Sequence, residues 1–173
     1  PQYAVDPSWP KPLPNNWILG QAAGIATDSE GHVWVLHRPG SLTDDERGAA
    51  LDPPISKCCI SGPPVLEFDT EGNLLNSWGG PGDGYEWPTN EHGIHVDSSD
   101  NVWIAGNGET DHQILKFDRS GKFLLQIGHR GESQGSNVTD QLGRPAHMVV
   151  DSAADELYVA DGYQNRRMIV FDA

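Results

Sequence analysis

Three stretches of the chain repeat one pattern of apolar and polar positions. Residues 24–38 (GIATDSEGHVWVLHR), 92–107 (HGIHVDSSDNVWIAGN) and 146–162 (AHMVVDSAADELYVADG) each read as a short apolar strand, a small polar turn and an alternating strand. The first strands end in Asp28-Ser29, Asp97-Ser98 and Asp151-Ser152, and the second strands centre on Trp34, Trp103 and Tyr158. A period of two in hydrophobicity marks a strand with one buried face. A third strand follows in each copy, at 65–72 (VLEFDTEG), 114–121 (ILKFDRSG) and 168–173 (MIVFDA). A fourth follows in two of them, at 73–80 (NLLNSWGG) and 122–129 (KFLLQIGH). Asp-x-x-Gly between such runs is hairpin chemistry, because glycine takes positive φ without a steric penalty.

Four-stranded meanders repeated about every 50 residues predict the blades of a β-propeller. The fold expected is therefore all-β. An arm occupies 1–23, a first blade 24–80 with an inserted loop at 39–64, a second blade 81–129, and a long loop with an incomplete third blade 130–173. Within the arm, NNWILGQ (15–21) has the character of a fourth strand and is expected to supply the outer strand that closes a ring. Within the insertion, Thr43 followed by DDERGAA suggests a capped helical turn. Three blades are too few to close around an axis, so the expectation is half of a six-bladed ring. The missing blades would come from a longer parent chain or from a second copy.

Composition narrows the partners. Gly 20, Pro 13 and 36% hydrophobic residues suit a turn-rich β protein. A net charge of −14 argues against nucleic acid, since nothing neutralises phosphates, and no apolar run is long enough to insert in a membrane. The opening PQYAVDPSWPKPLP carries no initiator methionine and reads as the arm of a processed chain, which predicts a secreted or periplasmic protein. Cys58 and Cys59 are adjacent, which leaves three states open: a vicinal disulfide, pairing elsewhere, or free thiols.

Candidate chemistry follows from the hairpin geometry. The start of each inner strand and the end of its neighbour lie at one rim. Gly24, Arg38, His92, Asn107, His147, Gly162 and Tyr163 therefore face one mouth of the channel. Each has a purely structural alternative: His92 could bond a backbone carbonyl, Arg38 could pair with an acid of the insertion, and Tyr163 could cap the channel. Imidazoles projecting from several blades could instead hold zinc. No nucleophile elbow, phosphate-binding loop or dinucleotide fingerprint is present.

The D-x-x-G-x-V/I-W-V and F-D-x-x-G-x-x-L-x-x-W/I-G phrasing resembles NHL repeats, which form six-bladed propellers. Within that group GIATDS…VLHR, EHGIHVD and ADGYQNRR are most similar to the peptidyl-α-hydroxyglycine α-amidating lyases, over about residues 18–173. The resemblance implies cleavage of a carbinolamide C–N bond in a peptide-like substrate, with a channel zinc and a fold-supporting calcium. It implies that His92 is a zinc ligand, Arg38 a substrate-positioning cation and Tyr163 the base, with the carbonyls of Ile25 and Ile94 at the calcium positions. The family's other zinc histidines, second arginine and acidic calcium ligand lie in later blades, and His147 falls one position after the slot that His92 occupies. On this reading the partial chain is inactive alone. The alternatives are a non-catalytic NHL propeller that binds a peptide, a glycan or a partner protein at its mouth, and, more weakly, a calcium-dependent lactonase.

Overall fold

The computed structural model describes residues 2–173, and its regular elements are almost all strands. In chain order these are β1 (Trp17–Ile18), β2 (Gln21–Thr27), β3 (Val33–Arg38), β4 (Ile60–Ser61), β5 (Val65–Phe68) and β6 (Leu74–Trp78). They continue with β7 (Glu91–Val96), β8 (Val102–Gly106), β9 (Ile114–Phe117), β10 (Phe123–Ile127), β11 (His147–Asp151), β12 (Glu156–Asp161) and β13 (Arg167–Asp172). Three antiparallel meanders result: β2-β3-β5-β6, β7-β8-β9-β10 and β11-β12-β13. The chain is a partial β-propeller, as the repeat implied, with two four-stranded blades and a three-stranded one.

The aspartates at the ends of the inner strands explain why the turns recur. Asp28 accepts N–H bonds from Glu30 (3.0 Å) and His32 (2.9 Å), and its second oxygen takes the Trp34 indole N–H (3.2 Å). Asp97 repeats the arrangement with Ser99, Asn101 and the Trp103 indole (2.9 Å). One carboxylate thus closes each turn and orients the bulky residue of the next strand.

Alternation along the strands separates the two inter-blade cores. Val102 and Ile104 pack with Trp34, Leu36 and Ile94 between the first and second sheets. Trp103 and Ala105 point the other way, joining Met148, Leu157 and Val159 between the second and third. The inner strands also interlock through glycine. A Cβ on Gly24 would lie 3.1 Å from the His92 carbonyl, and one on Gly93 3.3 Å from the Ala146 carbonyl. The absent side chain is what lets neighbouring inner strands approach.

The arm, whose first residue Pro1 lies outside the described residues, takes a different place from the one expected. Trp17 and Ile18 pair in parallel with Ile60 and Ser61 of the insertion, and they add no strand to the third sheet. The reason is reach. Only Leu19 and Gly20 separate β1 from β2, a span of about 10 Å at most. An outer strand of a neighbouring blade stands three strand spacings away, roughly 14 Å. Residues 21–23, read as part of the arm, already belong to β2. In the insertion, Glu46 Oε2 accepts both the backbone N–H and the hydroxyl of Thr43 (2.7 and 2.9 Å), ahead of a 3-10 turn at Gly48–Ala50. Cys58 and Cys59 are joined to each other by a disulfide.

Candidate functional site

At the mouth, β7 carries a bulge. Glu91 pairs with Gly106 and Gly93 with Ala105, which leaves His92 as the extra residue of the inner strand. Ala23 has the corresponding position in β2, whereas β11 pairs without interruption from His147 onward. A bulge re-aims the side chain it carries. Here it turns His92 toward Arg38, the last residue of β3, and toward Tyr163 in the turn after β12.

The three side chains form one chain of contacts. Arg38 Nη2 lies 3.4 Å from His92 Nδ1, and Tyr163 Oη lies 2.9 Å from His92 Nε2. Arginine can only donate, so Nδ1 accepts and the Nε2–H is directed at the Tyr163 oxygen. The rings of His92 and Tyr163 meet edge to face with centroids 5.2 Å apart. Arg38 is fixed further by its Nε–H to the Glu91 carbonyl (2.7 Å) and its Nη1–H to Gln21 Oε1 (3.1 Å). Thus, among the described residues, His92 bonds no carbonyl and Arg38 pairs with no acid of the insertion. Burial, the Arg38 charge and His147 push the His92 pKa below its ordinary value, so the imidazole is neutral at neutral pH.

Arg144 completes this arrangement and was invisible in the repeat pattern, because it lies at the end of the long loop before β11. Its backbone is left-handed at φ 60°, and its N–H donates to His112 Nδ1 (3.2 Å). Its guanidinium makes two bonds to the Asn107 carbonyl (3.0 and 2.6 Å) and lies 5.9 Å from the Tyr163 ring centre. Its carbonyl accepts the Tyr163 N–H (3.4 Å), while the Gly143 carbonyl accepts those of Gln164 and Asn165. The turn that presents Tyr163 is therefore held by residues 143–144. The sequence signal available was modest: an arginine before proline, immediately ahead of an inner strand.

The metal expectations find fewer ligands. Both ring nitrogens of His92 are engaged, and the described residues hold no group of three histidine, cysteine or carboxylate ligands at this mouth. A zinc centre takes at least three protein ligands, so these residues do not complete one. Ile25 and Ile94 lie on the adjacent inner strands β2 and β7, with the Ile25 side chain exposed and the Ile94 side chain buried. Calcium takes six to eight oxygens, which two carbonyls do not supply.

One cluster of metal-ligand type does exist, Asp28, His32 and Glu67, at the turn end of the first sheet. Arg119 of the second sheet already occupies it. Its Nη2 bonds Glu67 and lies 2.9 Å from Asp28, and Nη1 lies 3.4 Å from Asp100. Burial alone would raise the Asp28 pKa. The Trp34 indole, the His32 and Glu30 N–H groups and the Arg119 charge outweigh it and hold the carboxyl below its usual range. The cluster is an ion-paired clasp between blades.

No protein-family model matches the chain. Several curated proteins are similar over nearly all of it, three of them as follows. Peptidyl-alpha-hydroxyglycine alpha-amidating lyase 2 of Drosophila melanogaster is 32% identical over 93% of this chain and 39% of its own length. Peptidyl-alpha-hydroxyglycine alpha-amidating lyase 1 of the same organism is 29% identical over 98% of this chain and 30% of its own length. NHL repeat-containing protein 3 of Mus musculus is 26% identical over 94% of this chain and 40% of its own length. The chain thus spans two fifths or less of these relatives. With the blades described above, it is an NHL-type propeller related to the amidating-lyase family.

Proposed function

We propose that these residues form one corner of a lyase site that splits a carbinolamide C–N bond in a peptidyl-α-hydroxyglycine. The observation that carries the reading is the contact chain of Arg38, His92 and Tyr163, drawn from three separate sheets. A scaffold has no need of such convergence. In the reaction, Tyr163 Oη, as the phenolate, takes the proton of the substrate hydroxyl, and the electron pair which that O–H bond leaves on oxygen forms the second bond of the glyoxylate carbonyl. The C–N bond breaks as that bond forms, its electron pair stays on nitrogen, and the proton held at Tyr163 passes to this nitrogen, which leaves as the primary amide. Arg38 faces the oxygen that gains charge in this step and orients the substrate. His92, neutral and donating from Nε2, holds the Tyr163 oxygen in place.

The remaining groups of the site belong to blades beyond these three, and on this reading the isolated chain does not turn over. Zinc at His92 and calcium at the Ile25 and Ile94 carbonyls would need ligands from those same blades, so no step is assigned to either metal. Export to an oxidising compartment suits the Cys58–Cys59 disulfide. The similarity to an NHL repeat-containing protein whose name records no activity supports a second reading, in which the same mouth binds a peptide, a glycan or a partner protein without chemistry.

The test is glyoxylate release from an N-acyl-α-hydroxyglycine by a form of the protein as long as its relatives. Activity should fall about 10²-fold or more in Tyr163→Phe and in Arg38→Ala. Full activity in both variants overturns the assignment. No activity in the parent favours the binding reading.

A further inference from the structure

Beside the mouth lies a cavity of about 640 Å³ whose walls include Trp17, Pro39, Pro63, Trp87 and Pro88. It adjoins the site on both sides: Pro39 follows Arg38, and Glu91, which also lines it, precedes His92. The arm and the insertion build this wall, since Trp17 stands on β1 and Pro63 follows β4.

Glu91 is the one charged group in the lining and is only 8% exposed. Its Oε1 accepts the Trp87 indole N–H at 2.9 Å, and no described residue donates to Oε2. The nearby guanidinium of Arg38 is bonded to the main-chain carbonyl of Glu91 and not to its carboxylate. Glu91 Oε2 is not among the enclosed polar atoms that lack a partner, so it opens to the cavity and can accept from a donor that a ligand brings there. A metal is a poor candidate for that donor, because the described residues hold no ligand cluster there. A cation on an apolar stem fits better. The stem lies along proline and tryptophan walls while the charge reaches Glu91. The protein's net charge of −14 further draws cations toward it.

We propose that this cavity is a specificity pocket for a basic side chain, lysine or arginine, carried by the peptide residue that precedes the reacting glycine. The proposal rests on the reading of the mouth as a peptide site, and it names the substrates that site prefers: peptides with a basic residue next to their C-terminal end.

The experiment is calorimetric titration of the 173-residue chain with N-acetyl-lysylglycine and with its norleucine and glutamate counterparts. Binding is read directly, so turnover is not needed. The lysine peptide should bind about tenfold more tightly than the norleucine peptide, and the glutamate peptide most weakly. Glu91→Gln keeps an acceptor for the Trp87 indole and should abolish the lysine preference while leaving norleucine binding in place. Should that variant fail to fold, Trp17→Ala serves instead, and it should weaken the lysine and norleucine peptides together. Equal binding of lysine and norleucine peptides, a preference that survives Glu91→Gln, or unchanged binding in Trp17→Ala overturns the pocket. Failure of the lyase reading looks different: lysine-selective binding by this chain persists, and the form as long as its relatives releases no glyoxylate from the matching hydroxyglycine.

Discussion

His92 Nε2 and Tyr163 Oη meet at 2.9 Å, although one residue sits on a bulge of the second sheet and the other in a turn of the third. With Arg38 on the other ring nitrogen, this contact fixes the imidazole tautomer. That fixing is what makes the pair more than neighbours.

Tyr163→Phe should keep the ring contact and lose the hydrogen bond. Because Tyr163 is half exposed, stability should change by no more than about 1 kcal/mol. The sensitive readout is the ¹⁵N spectrum of the histidine side chains. The parent should show His92 protonated on Nε2, and the variant should keep that tautomer, because Arg38 still donates to Nδ1, while its Nε2 signal shifts as the Tyr163 oxygen is lost. A parent protonated on Nδ1 contradicts donation from Arg38.

Arg119→Met should be among the most damaging exchanges. Asp28 and Glu67 are buried at the first blade's turn end and share this one guanidinium, so its removal should cost about 3 kcal/mol in denaturant unfolding. Arg47, in an exposed pair with Asp44, is the control and should cost almost nothing. Equal effects at the two positions count against a clasp.

At Arg144 the backbone and the side chain pull apart. Its φ of 60° favours glycine, so Arg144→Gly should be about 1 kcal/mol more stable than Arg144→Ala in thermal unfolding. Both should release the guanidinium from the Asn107 carbonyl and loosen Tyr163, visible as a shift of one tyrosine ring signal common to the two variants. An unmoved Tyr163 signal separates Arg144 from the site.

Stability should fall in two stages as pH drops. Burial pushes His37, His92 and His95 below the ordinary 6.5, so below that value the unfolded chain binds protons that the fold resists. His37 is the clearest case, accepting the Gly20 N–H on Nδ1 and donating from Nε2 to the Pro63 carbonyl. The second stage belongs to Asp28 and Asp97, held low by their turns, and comes as pH falls through the carboxylate range. Denaturant unfolding from pH 8 to pH 4 should show loss beginning near 6.5. A flat profile down to the carboxylate range removes the histidine contribution.

The blades were legible because one physical rule writes them. The period of two, the turn aspartates and the turn glycines each act locally, so three copies of one pattern specify three sheets. The rim positions of Arg38, His92 and Tyr163 followed from hairpin topology alone. The bulge that aims His92 did not, since it leaves no mark in hydrophobicity. Arg144 and Glu91 were missed for a related reason. Arg144 acts from a loop with no periodicity, and Glu91 reads as an ordinary acid until the insertion and the arm fold over it. The arm was misplaced because strand character does not say which edge a strand joins. The two-residue link to β2 decides that.

Arg38, His92 and Tyr163 each belong to a different sheet, and no ladder ties those sheets together at the mouth. A slight rotation of one sheet against the next opens the contact at His92 before it strains any strand pairing. The imidazole is therefore an angle gauge for the arc of blades, its proton set by how the sheets are seated. A ligand that spans Arg38 and Tyr163 would act as a tie rod, and whatever stiffens the arc from outside would tune the chemistry at the mouth without touching it.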